Sequence, residues 1–421
     1  MTTRSPEPQS TEPEIAAFLD EFLDAHLEEL IAFRRQLHAH PELSGEEHAT
    51  TDLVSSRLQI AGLEPRVLTR GTGLLCDLDT GTSTGPVVAL RADLDALAMH
   101  DDKDVPYRSQ VDGVAHACGH DVHTTVVLGA GLALARLTRE RDRLPGRVRL
   151  VFQPAEESAR GGARDVIADG GLVDVSACFG YHCDPRLDRG TIGVRHGAIT
   201  SAADLVGITL HGPGGHTARP EQTVDLVAVA ARVVSELPGL LRERVADLNL
   251  VFGAIDAGDA ANVIPTTAVL RGTVRSRDRD AWARAPEALE IALDEIVGPT
   301  GASVEINHER GVPPVVNDPA MTEVFAAGAR SVVGRDAVVT MEQSAGADDF
   351  AWYLQRVPGS YVRLGVHDPS SHGPRLDLHA GTFDVDEGAI EVGIRVLVTA
   401  TLGTFATLLV ESAPSARPPT H

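Results

Sequence analysis

Lysine is almost missing from this 421-residue sequence: Lys103 is the single one, so nearly every positive charge is a guanidinium. That group grips carboxylates better than an ammonium does. Positive charge as a whole is scarce, with 37 Lys and Arg against 60 Asp and Glu and a formal charge of −23. Neutralising phosphates needs clustered cations, so no nucleic-acid partner is expected, and no membrane surface either. No stretch approaches eighteen uninterrupted apolar residues, which argues against a membrane span. Cysteine is sparse as well. Cys76, Cys118, Cys178 and Cys183 are too few and too irregular for a disulfide framework in a chain this long. The opening MTTRSPEPQSTEPE lacks the apolar centre of a signal peptide. A cytoplasmic enzyme with one or more functional thiols is the expectation.

What the sequence has is a sizeable core, with 43% hydrophobic residues, and length for two or three domains or one domain with an insertion. Apolar positions from Ile15 to Leu37 fall at helical spacing. Short apolar runs at 87–90, 148–152 and 177–181 then alternate with helical stretches at 124–137 and 163–169. That order predicts an α/β domain with a largely parallel sheet. Chemistry in such sheets collects past the strand C-termini. The segments RADLDAL (91–97), QPAEES (153–158) and His182 should therefore converge. The middle of the chain reads βαββαβ, the order of a compact ferredoxin-like domain, and after it the α/β pattern resumes. The expected organisation is a disordered arm (1–13), a catalytic domain (14–200 and 312–411), an inserted domain (201–311) and a disordered tail (412–421).

The densest chemical feature is His116-Ala117-Cys118-Gly119-His120-Asp121-Val122-His123, at the start of a predicted helix. Cys118 and His120, two positions apart, can face one metal from a bent loop. His116 and His123 are weaker candidates. The plainer alternative is a helix N-terminus capped by Asp121 with surface histidines. The second feature is Glu156-Glu157, where adjacent carboxylates at a sheet end are costly unless a cation compensates them. One of the pair can bind metal while the other serves as a base. His182 and His379 also follow or lie near apolar strands, with His367 and His372 as rivals to the latter, whereas Cys183 reads as a bystander.

The strings RRQLHAHPELSGEE (34–47), RADLDAL, HACGHDVHTT, FQPAEES, GPGGHTARP (212–220), NVIP (262–265), GTVRS (272–276) and GADDF (346–350) occur in this order. Together they resemble the M20 metallopeptidase family, in particular its amidohydrolase subfamily of hippurate hydrolases, N-acyl-amino-acid amidohydrolases and auxin-conjugate hydrolases. The resemblance covers about residues 15 to 410. It implies a catalytic α/β domain interrupted by a lid and dimerisation domain. It also implies two divalent metal ions (Zn, Mn, Ni or Co) held by Cys118, His120, Glu157, His182 and His379, with Glu156 as general base. Cys118 stands where the wider family has a bridging aspartate, and Arg91 where other branches have a ligating histidine, which makes Asp93 an orienting residue. Asp348 replaces the more common glutamate of GAEDF, and Ala380-Gly381 replaces the residues usual after the last ligand.

The implied chemistry is hydrolysis of N-acyl amino acids without a covalent intermediate. The ion pair's field lowers the pKa of water and polarises an amide carbonyl, and Glu156 moves the proton. His216 in the lid would stabilise the oxyanion from the partner subunit of a homodimer, and Asn262 and Arg275 would hold the substrate carboxylate. Two other readings stay open. One is a dipeptidase or hydrolase of another amide conjugate; the other is a catalytically silent ligand-binding protein.

Overall fold

The run at 87–90 belongs to a strand, Val87–Asp93, buried along its whole length. Such a strand must be covered on both faces, as strands of parallel sheets are. It lies between the parallel strands Arg147–Gln153 and Val175–Asp188, and the latter pairs in parallel with Gly359–His367. These four form the middle of an eight-stranded mixed sheet. Leu74–Leu78 and Arg66–Val67 extend one side, and Ile192–Val194 and Val338–Thr340 the other. The computed structural model describes residues 12–412 apart from 79, 81–84, 142–143 and 159. Most of the expected arm and tail therefore lies outside the described residues. Glu12 already begins the helix Glu12–Ala39, and the last helix runs to Ser412.

Helices Glu12–Ala39, His120–Arg141, Pro319–Val333 and Gly388–Ser412 share the core of this sheet, with Leu30, Val126, Phe325 and Ile394 inside it. Over Gly388–Val410 the last helix is long and apolar enough to cross a membrane by length and composition. Half of that window is buried inside the fold, however, and Ile390, Leu397 and Phe405 are core residues. It is a core helix.

A second compact unit spans Ala198–Val316 and takes in Glu342–Trp352, a segment expected in the catalytic domain. Its four strands are antiparallel in the order Asn249–Asp256, Thr267–Ser276, Ala202–His211, Ser303–Val312. Two helices, Leu226–Arg244 and Arg279–Val297, pack on one face. Asp225 and Asp278 cap them by accepting the N–H of Ala228 and Ala281, as side chains at N-caps do. This is the ferredoxin-like βαββαβ arrangement.

Candidate metal centre

Cys118, His120 and Glu157 offer ligand atoms that all lie within 4.8 Å of one another. Cys118 Sγ is 3.5 Å from His182 Nε2, and His379 Nε2 is 3.3 Å from Glu157 Oε1. The five expected ligands thus meet at the C-terminal ends of the parallel strands, in the larger unit. His367 and His372 do not join them: His367 ends its strand paired beside Asp188, and His372 is exposed.

The loop geometry explains why. Gly119 has φ +89°, and a Cβ there would come within 2.7 Å of Cys183 Sγ, so only glycine lets the chain turn between Cys118 and His120. The helix that begins at His120 fixes its imidazole. The Nδ1–H donates to the Asp95 carbonyl at 2.9 Å, which leaves Nε2 facing Glu157 at 3.7 Å. His182 is held likewise, its Nδ1–H donating to the Cys183 carbonyl at 2.7 Å. Orientation of this kind fixes the tautomer of a ligating imidazole. His379 adopts φ +57°, uncommon for a residue with a Cβ, and its N–H donates to the Ala117 carbonyl at 2.8 Å. That bond ties the last segment to the Cys118 loop.

The charges favour a cation. His120 Nε2 and Glu157 Oε1 are buried without a hydrogen-bond partner, which costs about 1–3 kcal/mol for each such atom. Burial pulls the pKa of His120 down, but the carboxylates of Asp93 and Asp95 outweigh it and hold it up at about 10. Burial, then Glu157 and Glu156, push the Cys118 thiol well above its usual range. A divalent ion answers this excess of negative charge and suits a thiolate, imidazole and carboxylate set. The donors fit the group.

Four further residues take clear positions. His123 is not free to ligate. Its Nε2 accepts the Cys183 N–H at 2.8 Å, and its Nδ1–H donates to Asp93 at 2.6 Å. Asp93 is also ion-paired with buried Arg91, which holds its carboxyl well below the usual range against the cost of burial. His116 is buried with neither ring nitrogen bonded, and burial pushes its pKa down to about 3. Asp121 is no helix cap: Arg34 Nε lies 2.7 Å from it and His38 Nδ1 2.7 Å, all of them buried.

Two carboxylates escape the sequence reading. Asp95 accepts the N–H of Glu156 at 3.0 Å and of Glu157 at 2.8 Å, and the Ser44 hydroxyl at 2.6 Å. Glu47 accepts the N–H of Ala155 at 2.8 Å, and Ala155 has φ +56°. Glu156 and Glu157 therefore sit on a clamped bend. The GxSxG string at 81–85 falls almost wholly outside the described residues.

In the second unit, His216 pairs with Val263 across a two-stranded ribbon, and the Thr217 N–H reaches the Asn262 carbonyl at 3.4 Å. His216 Nδ1 accepts the Ala218 N–H at 3.0 Å, so its exposed Nε2 carries the proton. The structure does not bring Arg275 to this pair. The ribbon joins the strand Thr267–Ser276 at its start, whereas Arg275 is near its end, about 26 Å along at strand rise.

Comparisons with known proteins agree with this geometry. The sequence model of Peptidase family M20/M25/M40 matches residues 89–402. A Rhodococcus jostii (strain RHA1) protein provisionally named glutamate–cysteine ligase 2-3 is 46% identical over 375 residues, 88% of this chain. The match spans only 46% of that longer protein. The N-acetyl-L-cysteine deacetylase of Bacillus subtilis (strain 168) is 36% identical, covering 86% of this chain and 85% of its own. Among solved structures, the Bacillus subtilis YxeP protein, described as a dinuclear metal-binding peptidase of the M20 family, superposes with a TM-score of 0.80. It is 34% identical and covers 91% of this chain and 99% of its own.

Proposed function

The chain belongs to the peptidase family M20/M25/M40, and on that premise we propose that it hydrolyses the amide bond of N-acyl amino acids to a carboxylic acid and a free amino acid. It is a metal-dependent amidohydrolase that takes two divalent ions. Cys118, His120, Glu157, His182 and His379 hold them. The observation that carries this reading is the matched orientation of His120 and His182. Each spends its Nδ1–H on a backbone carbonyl and turns Nε2 to Glu157 or Cys118.

The ions, when bound, supply the field that makes water nucleophilic near neutral pH and polarises the amide carbonyl. Glu156 takes the proton of the attacking water and returns it to the departing amine. Asp95 keeps Glu156 and Glu157 in their separate directions by holding both N–H groups. His216, protonated at Nε2, donates to the oxyanion, and Asn262 and Arg275 hold the substrate carboxylate.

One small substrate cannot touch both ends of the Thr267–Ser276 strand. His216 with Asn262 and Arg275 therefore serve one site only if they come from two chains. The strand Asn249–Asp256 supports such a homodimer, because its outer edge pairs with nothing among the described residues. Val251 and Ile255 on it are exposed, and open edges of this kind invite a second strand. We place the protein in the cytoplasm, since four buried cysteines without a disulfide suit a reducing compartment.

A panel of N-acyl amino acids and dipeptides, assayed with and without chelator, tests the reaction. Chelator-sensitive release of amino acid from the N-acyl substrates is expected. Preference for dipeptides would move the substrate class, and hydrolysis of nothing would favour a silent ligand carrier.

A further inference from the structure

Three arginines are buried among the described residues: Arg34, Arg91 and Arg363. Arg34 pairs with Asp121 and Arg91 with Asp93. The Arg363 side chain, 6% exposed, makes no hydrogen bond or ion pair among the described residues; the Tyr361 ring lies 5.8 Å from the guanidinium, and its charge acts on the Asp184 carboxylate without a direct contact. A buried charge left unpaired is expensive, so its missing partner needs a source.

Its position indicates that source. In the strand Gly359–His367, Arg363 is in register with His182 on the neighbouring strand, and residues paired this way share one face of a sheet. Tyr361, two residues earlier on that face, has its ring 6.3 Å from the ring of His182. On the other side Arg363 faces Gly193, where a Cβ would come within 3.0 Å of the Arg363 Cβ and 2.6 Å of Met341. The glycine leaves the arginine its room. Asp184, two residues beyond His182, is already committed: Arg186 holds it through its backbone N–H at 2.9 Å, Nε at 2.9 Å and Nη2 at 2.6 Å.

We propose that Arg363 is a receptor for a substrate carboxylate on the wall of the metal centre, next to His182. The planar fork of a guanidinium matches a carboxylate with two parallel hydrogen bonds. The proposal rests on the N-acyl amino acid reading, whose substrates all carry a carboxylate. The chemistry is the same whether that group is a side-chain acid, an acid on the acyl chain, or the α-carboxylate, in which last case Arg363 shares the role given above to Asn262 and Arg275.

Calorimetric titration separates these sources, using zinc-loaded Glu156→Gln protein so that probes bind without turnover. The probes are N-acetyl-L-alanine, N-acetyl-L-glutamate, N-succinyl-L-alanine and the uncharged N-acetyl-L-alaninamide. Adding Arg363→Met should weaken carboxylate probes by about 10–100-fold and leave the alaninamide unchanged. Arg363→Lys should restore part of the loss, and both variants should melt within a few degrees of the parent. Loss for every probe with an α-carboxylate assigns that group. Loss confined to the succinyl or the glutamate probe assigns the acyl chain or the side chain. Equal loss for all four probes, no loss for any, or a parent that binds none of them would overturn the receptor. Wild-type protein that binds through Arg363 yet hydrolyses no amide would overturn the proposed reaction and leave the receptor standing.

Discussion

Glu156 and Glu157 are chemically the same, and the proposed division of work between them rests on what holds their backbone. Glu157 faces His120 and His379, and the Glu156 N–H is held by Asp95. Glu156→Gln should keep its metal and lose roughly 10²–10⁴-fold in turnover, the usual worth of a general base. Elemental analysis and steady-state kinetics on the same preparation check this. Metal lost in Glu156→Gln but kept in Glu157→Gln would reverse the roles. The five expected ligands were legible because Cys, His and Glu cluster in short strings. Asp95 was not, although it lies in the quoted RADLDAL, because its work is to accept backbone N–H groups that carry no sequence signal. Arg363 was hidden for the opposite reason: one charged residue inside an apolar strand passes as a snorkelling surface side chain.

The long elements announced themselves by period, and the short ones had none to show. Arg66–Val67, Ile192–Val194 and Val338–Thr340 span two or three residues, too few for an alternation to register. The helix His48–Ile60 escaped because Thr50 and Thr51 stand among its buried positions. Between these elements the chain is fixed by buried charge. The only lysine, Lys103, lies 2.8 Å from Asp101, which His38 Nε2 approaches at 3.3 Å from the other side. Burial raises the pKa of Asp101, but His38 and Lys103 outweigh it and hold the carboxyl below its usual range. A carboxyl whose pKa is lower folded than unfolded stabilises the fold above its unfolded value of about 3.9. That contribution disappears as pH falls through the folded value, because the unfolded chain then binds more protons. Asp101→Asn should therefore be less stable than wild type at pH 6–7 in urea melts, with the gap narrowing below about pH 4. A gap independent of pH would assign Asp101 a packing role instead.

At the scale of the molecule, the proposed chemistry is divided between the two units: the candidate metal ligands belong to the larger one, and His216, Asn262 and Arg275 to the other. Mixing His216→Ala chains with Glu156→Gln chains, each nearly inactive alone, asks whether His216 serves the partner's site. Activity should partly return, because some heterodimers would contain one site with both residues intact. Verified heterodimers that regain nothing would place His216 in its own chain's site. All of this depends on the five residues around Cys118 forming one site for two ions, and counting metal tests that most directly. Reconstituted wild-type protein should hold about two divalent ions per chain, as a two-metal site does, and the Cys118→Ser/His182→Ala protein should hold fewer. Undiminished binding in the double variant would contradict the account.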